Sequence, residues 1–280
     1  MKPHLRAAGL FLVFTALAAG SACAAEASFE RDLTVSGALN LSVVTGAGSI
    51  HLSSGPAGHV HIVGRIKSRW GADETTVRQI ADHPPIEQAD GSVRIGFMHE
   101  NLHNISIDYE IQAPPGALLA AASGSGDIVD NGVGTGARLK TGSGSVRALA
   151  LQGGCTVGTG SGSIYAELAG LGDVKAETGS GSIEIRNLHG GLRAETGSGS
   201  IRAAGVPSAG WRLDTGSGSI EIWTGSAAFS LDAQTGSGSI SSDREIAMRG
   251  EVGHHHVTGA VGGGGPTVRL ETGSGSIRIH

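Results

Sequence analysis

A run of three histidines is the part of this sequence whose residue types best fit a metal site. His254, His255 and His256 follow one another, and neighbouring side chains of a strand point to opposite faces. Only His254 and His256 could therefore share one ion. A zinc site needs three or four ligands, and spacing fixes no cysteine or acidic partner, so these two are weak candidates and a solvated loop is the plainer interpretation. Three earlier histidines, His51, His59 and His61, are still weaker candidates for metal ligands.

Other sequence patterns that are typical of binding or catalytic sites lack the required residues or spacing here. The many Gly-Ser-Gly segments precede strand-like runs, whereas a phosphate-binding loop needs Lys and Ser or Thr at a helix start. Calcium-binding repeats need Asp in each turn, and these turns carry Ser. No Ser-His-Asp set can be placed. We predict no catalytic residue and no cofactor. The enzyme alternative is a polysaccharide lyase or hydrolase on a β-helix, which would need paired carboxylates in a cleft.

The elements that position these residues are copies of Thr-Gly-Ser-Gly-Ser-Ile. Consecutive copies begin 18–20 residues apart, and the last step is about two periods long; they start at Thr141 (a copy that ends in Val146), Thr159, Thr178, Thr196, Thr215, Thr235 and Thr272, after looser copies at Thr45 and Ser123. A fixed short period indicates one unit stacked on itself. The copy at Thr272 is expected to add the last rung, and Ser276–His280 to form a final strand without a cap.

One repeat, residues 174–191, shows the unit. Two five-residue runs alternate apolar and polar residues, which is the period of a strand with one buried face. Gly179-Ser180-Gly181 lies between the runs, and we attribute this corner to the backbone angles that glycine allows. Strand, corner, strand and corner return the chain to its start after about 18–19 residues. The sequence predicts an all-β parallel β-solenoid, right-handed by the general crossover preference.

Stacking the repeats aligns their side chains in columns. Ile183, Ile201 and Ile220 belong to an inward column, and the threonine that opens each copy belongs to another. Two outward columns carry charge. A mostly basic column consists of Arg138, Thr156, Lys175, Arg193, Arg212, Ser230 or Asp232, and Arg269; a mostly acidic one consists of Lys140, Gly158, Glu177, Glu195, Asp214, Gln234 and Glu271. Because exposed ion pairs contribute little, these columns are interpreted as a solvated face.

The N-terminus has the composition of an export signal. Lys2 and Arg6 precede the apolar run 7–19, and small residues follow at 22–24, so residues 1–24 are expected to be a signal peptide that directs the protein to the periplasm or cell surface. Cys23 leaves lipid attachment open as an alternative. After cleavage, Cys155 would be the remaining cysteine. The formal net charge of −5 gives no basic surface for nucleic acid.

Two further regions follow the signal. Residues 29–115 are expected to form an N-terminal cap and the first rungs, with strands and one short helix at 73–82 that Pro84 ends. Residues 116–280 form the regular solenoid, with an insertion at 241–266. That insertion either folds over the C-terminal end or leaves the end free to pair with another chain, because an open sheet edge is adhesive.

The order of these motifs resembles a known family. A proline turn at 114–116 precedes Ser-Gly-Ser-Gly-Asp-Ile at 123–128 and the tandem repeats, and Val-Gly-Gly-Gly-Gly-Pro at 261–266 precedes the last copy at 270–277. This pattern resembles the bacterial "putative adhesin" family of domains of unknown function. The resemblance implies a β-solenoid of the cell envelope. We therefore expect a non-enzymatic, exported adhesin-like module or scaffold, whose partner would be a protein, a glycan or a second copy bound through the C-terminal end.

Overall fold

The computed structural model describes residues 25–68, 74–96, 104–248 and 255–280. Their strands form one open, mostly parallel sheet of 23 strands, and one helix accompanies it. The all-β solenoid is therefore confirmed, whereas its right-handed winding stays a prediction. The predicted signal peptide, residues 1–24, lies outside the described residues. The N-terminal elements are β1 (Glu26–Thr34), β2 (Asn40–Thr45), β3 (Ile50–Ser54), β4 (His59–Ser68), α1 (Glu74–Asp82), β5 (Ile86–Ala89), β6 (Ser92–Ile95) and β7 (Ile105–Ala113).

The repeats supply most of the remaining strands, two per turn. They are β8 (Leu118–Ser123), β9 (Ile128–Asn131), β10 (Gly136–Thr141), β11 (Val146–Leu151), β12 (Cys155–Thr159), β13 (Ile164–Leu168), β14 (Val174–Thr178), β15 (Ile183–Thr196), β16 (Ile201–Ser217), β17 (Ile220–Trp223), β18 (Phe229–Ser237) and β19 (Ile240–Ser242). The last four are β20 (Ile246–Met248), β21 (His256–Val261), β22 (Thr267–Ser274) and β23 (Ile277–Ile279).

The parallel strands form two walls that meet at the Gly-Ser-Gly corners. The first wall holds the strands before each corner, in the spatial order β6, β2, β8, β10, β12, β14, the C-terminal part of β15, that of β16, β22 and β18. The second wall holds those after it, in the order β7, β3, β9, β11, β13, the N-terminal part of β15, that of β16, β17, β23 and β19.

The C-terminal strands do not end the stack. β22 pairs with both β16 and β18, and β23 pairs with both β17 and β19. The copy at Thr272 therefore lies between the copies at Thr215 and Thr235, so the expectation that Ser276–His280 forms the uncapped end is wrong. Nearly identical repeats can stack in more than one order, because each presents the same columns to its neighbours. The excursion that precedes β22 is long enough to return the chain into the stack.

The N-terminal end is interleaved in the same way. β2 lies between β6 and β8, and β3 lies between β7 and β9, so the early copy at Thr45 occupies the second level although it comes first in sequence. Antiparallel strands cover the outermost parallel strand at each end of the first wall. At one end β5 pairs with β6, and at the other β21 pairs with β18 and β20. The two described strands of the predicted insertion at 241–266, β20 and β21, thus cover the C-terminal level of that wall.

Among the described residues, antiparallel strands cover the second wall at its N-terminal end alone. β4 runs antiparallel to β7, and β1 runs antiparallel to β4. Helix α1, which the sequence predicted at 73–82, packs on β1 and β4 and buries Val77. β1 carries Glu26, Glu30 and Asp32, and charged side chains on an edge strand oppose further pairing.

The core consists of the predicted inward columns. Ile183, Ile201 and Ile220 are fully buried, as is Ile277 in the inserted level, whereas Ile240 in the outermost level is half-buried. Burying each such side chain contributes about 1.5–3 kcal/mol. The threonine column is buried as well, because each hydroxyl is hydrogen-bonded. Thr159 Oγ1 donates to the Gly144 carbonyl at 2.7 Å, and Thr178 Oγ1 donates to Gly162 at 2.8 Å, one level back in each case.

Glycine is required at the corners for a reason that differs from the predicted one. Gly144, Gly162 and Gly181 do not have left-handed backbone angles. Their levels stack so closely that a Cβ on Gly181 would lie 1.9 Å from the Gly162 carbonyl oxygen, a distance that no side chain tolerates. The repeat therefore encodes close stacking of backbone on backbone. Among the described corners of the repeated hexapeptide, a positive φ occurs near the stack ends, at Gly48 and Gly238.

Candidate interaction surface

The outward columns of the first wall form a charged surface that we call the ladder face. The strand register aligns the basic column as predicted and chooses Asp232 rather than Ser230 as the member from β18. Both columns follow the interleaved order, so Arg269 and Glu271 lie between the level of Arg212 and that of Asp232. The column residues are Arg138, Thr156, Lys175, Arg193, Arg212, Arg269 and Asp232, with Lys140, Gly158, Glu177, Glu195, Asp214, Glu271 and Gln234 beside them.

The C-terminal half of the ladder face neutralises its own charge. Nζ of Lys175 lies 2.9 Å from Glu177, and Nη2 of Arg193 lies 2.6 Å from Glu195. At the next level Arg212 contacts both Asp214 and Glu271, at 3.7 and 3.5 Å, and one level further Arg269 contacts Glu271 at 2.6 Å and Asp232 at 3.8 Å. Each pair contributes only about 0–1 kcal/mol because these side chains are exposed. This half is the solvated face that the sequence predicts.

A groove of about 570 Å³ lies on the other half of the same wall. Its floor consists of small or polar side chains from adjacent strands, with Ser42 and Ala120 at its centre and Asn40 and Thr156 farther out. Arg94 and Arg138 line it, and Leu118, 57 % exposed, projects beside them. The small side chains create the depression, since longer ones at these positions would fill it. Sequence reasoning placed Arg138 in the basic column but did not bring Arg94 near it.

The candidate histidine pair lies only partly within the described residues. His254 lies outside them. His256 begins β21, where its Nε2 atom lies 3.0 Å from Asp232 Oδ1, so its described partner is an ion-pair residue of the ladder face. The backbone carbonyl of His255 accepts a hydrogen bond from Thr235 N. His254 and His256 therefore stay weak metal-ligand candidates, which the described residues do not test.

A second histidine cluster lies on the N-terminal cap. His61 Nδ1 is 2.8 Å from Asp32 Oδ1, and its Nε2 is 3.7 Å from Glu30 Oε1. Asp32 and His61 face each other across the antiparallel pair β1–β4, a pairing that the sequence did not indicate. Both acids are largely exposed, and each ring nitrogen of His61 already lies beside a carboxylate oxygen.

Two surface carboxyls of the described residues have a pKa displaced away from the range that a general acid needs. A glycoside hydrolase needs a carboxyl whose pKa is raised beside a second carboxylate. Here Arg65 holds the pKa of Glu110 below its ordinary value, and Arg278 and Arg202 do the same for Glu221. Burial raises the pKa of Asp130 to about 7, but this side chain is fully buried inside the stack and cannot reach a substrate.

Cys155 is likewise a core residue. It is 5 % exposed, and burial raises the pKa of its thiol to about 12, with a further contribution from the charge of Asp130. A thiol protonated in this way is a poor nucleophile. Cys155 therefore packs as a small buried residue of the core.

The comparison with known families now has a structural basis. The Toastrack DUF4097 family model matches residues 86–280, and the chain belongs to this family, as its repeats suggested. No curated protein matches the sequence. Within the described residues, no helix has the length and apolarity that crossing a membrane requires.

Several solved structures resemble this one at low sequence identity. A "putative cell adhesion protein" from Clostridium sporogenes is 14% identical, covers 90% of this chain and 99% of its own, and has a TM-score of 0.30. A "putative adhesin" from Bacteroides fragilis is 12% identical, with 91% and 97% covered and a TM-score of 0.38. One from Parabacteroides distasonis is also 12% identical, with the same coverage and a TM-score of 0.37.

Proposed function

We propose that this protein is a non-enzymatic, adhesin-like interaction module of the bacterial cell envelope. The observation that carries the proposal is the ladder face itself. Its strands are paired on both sides from β2 to β22, and its corners are short glycine turns fixed by threonine–carbonyl hydrogen bonds. Such a surface is rigid and binds without reorganising, which lowers the entropy cost of recognition.

Catalysis is disfavoured by the same construction. Enzymes on β-helices need a cleft that holds two kinds of group. One has a pKa high enough to donate a proton, and the other has a pKa low enough to act as a base or nucleophile. Among the described residues, the surface carboxyls with a displaced pKa are held low by arginine or lysine. The short corners leave no long loops over either wall in the tandem repeats. The alternative of a polysaccharide lyase or hydrolase is kept as an outcome of the test below.

The proposal includes export from the cytoplasm, which rests on the sequence of residues 1–24. A basic start, an apolar run and small residues are the features of a cleaved signal, and a solenoid of exposed charged columns suits the periplasm or the cell surface. Lipid attachment at Cys23 would tether the same module to a membrane. Labelling with a radioactive fatty acid distinguishes the two fates, since only the lipoprotein would carry the label.

Self-association through the C-terminal end of the solenoid is a second proposed interaction. β19 pairs with β23, and no strand covers its other side among the described residues. Unpaired backbone groups on an edge can accept a strand from another chain. β19 has only three residues, so such a contact would be weak and would depend on protein concentration.

The test is binding of the purified protein to envelope fractions of its own cells. We expect saturable binding that unlabelled protein competes away, with no release of sugar or peptide fragments. Light scattering over a range of concentrations reports self-association. A variant with Ile201→Asp, which should be unfolded, controls for non-specific adhesion. Release of cleaved glycan would instead indicate an enzyme, and absence of saturable binding would refute the interaction module.

A further inference from the structure

The two halves of the ladder face differ in one systematic way. In the C-terminal half, each basic residue has an acidic residue two positions later on the same strand, as in Lys175–Glu177 and Arg193–Glu195. In the other half that partner is missing. Gly96 follows Arg94 at this spacing and Lys140 follows Arg138. The levels between them carry no charge in either column, since they present Ser42 with Val44 and Ala120 with Ala122.

The arginines of this half are exposed and form no ion pair within the described residues, and Lys140 shares both properties. Glu87 lies opposite Arg94 across the β5–β6 pair without coming within ion-pair distance. Asp173 also lines the groove, and its carboxylate, which accepts a hydrogen bond from Gly191 N at 2.6 Å, offsets the charge of only one of the two arginines. The groove therefore has a surplus of positive charge, although the whole chain is negative.

We propose that this groove binds an anionic glycan, with Arg94 and Arg138 holding two of its acidic groups. The proposal rests on the interaction function above and assigns its surface and ligand class. A guanidinium group can donate two parallel N–H hydrogen bonds to a pair of oxygen atoms of a carboxylate or a sulfate. The two arginines are three strand steps apart, or about 14 Å at about 4.8 Å per step, so they would contact two separate acidic groups on one extended chain. Lys140, beside Arg138, adds charge at one end.

The floor of the groove favours a glycan over an acidic peptide. Extended peptides commonly bind by adding a strand to a free sheet edge, but β2, β8 and β10 are each paired on both sides. No backbone group is open there. Asn40, Ser42 and Thr156 instead offer side-chain donors and acceptors that suit sugar hydroxyls. Leu118 supplies an apolar surface for the carbon face of a sugar ring.

The experiment titrates the purified protein, by calorimetry, with a galacturonate hexamer and a chondroitin sulfate hexasaccharide as anionic glycans. Cellohexaose is the neutral glycan and hexaglutamate the acidic peptide. We expect binding of at least one anionic glycan that weakens in high salt, and no binding of cellohexaose. The double variant Arg94→Ala/Arg138→Ala should weaken this binding roughly tenfold or more.

The matched control is Arg193→Ala/Arg269→Ala. It removes the same charge from the same face but from arginines that are already paired, and we expect a change within about twofold. Equal losses in the two double variants, hexaglutamate binding as tightly as the glycans, or no binding of either anionic glycan would each overturn the inference. If the protein still binds envelope fractions saturably, only the groove assignment fails; if it does not, the proposed interaction function fails as well.

Discussion

The Thr235 hydroxyl donates a hydrogen bond of 2.8 Å to the carbonyl of Gly275, a residue 40 positions later in the chain. Elsewhere in the stack the same bond runs from a threonine to the preceding repeat, as from Thr196 to Gly181 at 2.9 Å. Thr272 bonds in turn to Gly218 at 2.8 Å. The hydrogen bonds thus follow the spatial order of the levels, in which the last repeat is inserted before the penultimate one.

The insertion makes the last strand part of the core. Ile277→Asp would place a charge at a fully buried position between two levels, whereas Ile240→Asp changes a half-buried position in the outermost level. Burying an unpaired charge is costly, and we expect Ile277→Asp to unfold the protein or to lower its free energy of unfolding by about 4 kcal/mol or more. Ile240→Asp should cost clearly less. Denaturant unfolding compares the two, and an equal or reversed effect would contradict the insertion.

The close stacking of the corners predicts which glycines tolerate a methyl group. Gly181→Ala would force a Cβ against the Gly162 carbonyl, whereas a Cβ on Gly46 meets nothing within 4 Å. We expect Gly181→Ala to destabilise the fold by about 1–3 kcal/mol. Gly46→Ala should be neutral or slightly stabilising, because alanine restricts the unfolded chain. Thermal melting of both variants checks this difference, and similar melting temperatures would count against backbone stacking as the reason for the glycines.

The threonine hydroxyls should contribute stability one level at a time. Thr178→Val keeps the shape of the side chain but removes the hydrogen bond to the Gly162 carbonyl, and we expect a loss of about 1–2 kcal/mol. Thr156→Val is the comparison, because this side chain is half-buried on the groove side of the same wall and forms no such bond among the described residues. It should change the free energy of unfolding by less than about 0.5 kcal/mol. Equal losses would show that the hydroxyl ladder is not stabilising.

The buried carboxyl group of Asp130 leads us to expect an unusual dependence of stability on pH. This side chain is fully buried; its Oδ1 atom accepts a hydrogen bond from Val133 N at 3.0 Å, and Oδ2 has no hydrogen-bond partner among the described residues. With a folded pKa of about 7, the folded protein keeps a proton that the unfolded chain loses near pH 4. Stability should therefore fall by roughly 4 kcal/mol as pH rises from about 4 to about 7, and level off above that range.

Replacing this carboxyl by an amide is the control for the pH effect. Asp130→Asn keeps the acceptor for Val133 N and removes the titration, so the stability of the variant should vary less between about pH 4 and 7 than that of the parent. Denaturant midpoints measured across this range give the comparison. Identical pH profiles for parent and variant would show that Asp130 does not carry the effect.

The sequence predicted the columns but could not predict the order of the levels. Alternation within each repeat and the common period assign Ile183, Ile201 and Thr178 to the interior, because one repeat alone contains that information. The order depends on which near-identical repeats are neighbours in space, and Thr-Gly-Ser-Gly-Ser-Ile fits equally well on any copy of itself. The interleaving of β2 and β22 is therefore a property of the whole chain.

The candidate groove could not be predicted from the sequence either, because it also depends on the order of the levels. Arg94 and Arg138 are 44 positions apart in the numbering, and only the level order places two uncharged levels between them. One signal was available: Lys140 occupies a position that is acidic in Glu177 and Glu195. A break in an otherwise regular charge column marks the part of a repeat surface where the ladder cannot neutralise itself.

The interleaved order is tested most directly by disulfide formation between paired corner positions. Ser276 accepts a backbone hydrogen bond from Ile220 N, which directly follows Ser219, so these two serines belong to adjacent levels. With Cys155 replaced by alanine, oxidation of Ser219→Cys/Ser276→Cys should form an intramolecular disulfide in the folded protein, whereas Ser219→Cys/Ser239→Cys, two levels apart, should not. The reverse result would place the Thr235 repeat directly after the Thr215 repeat and contradict the structure described here.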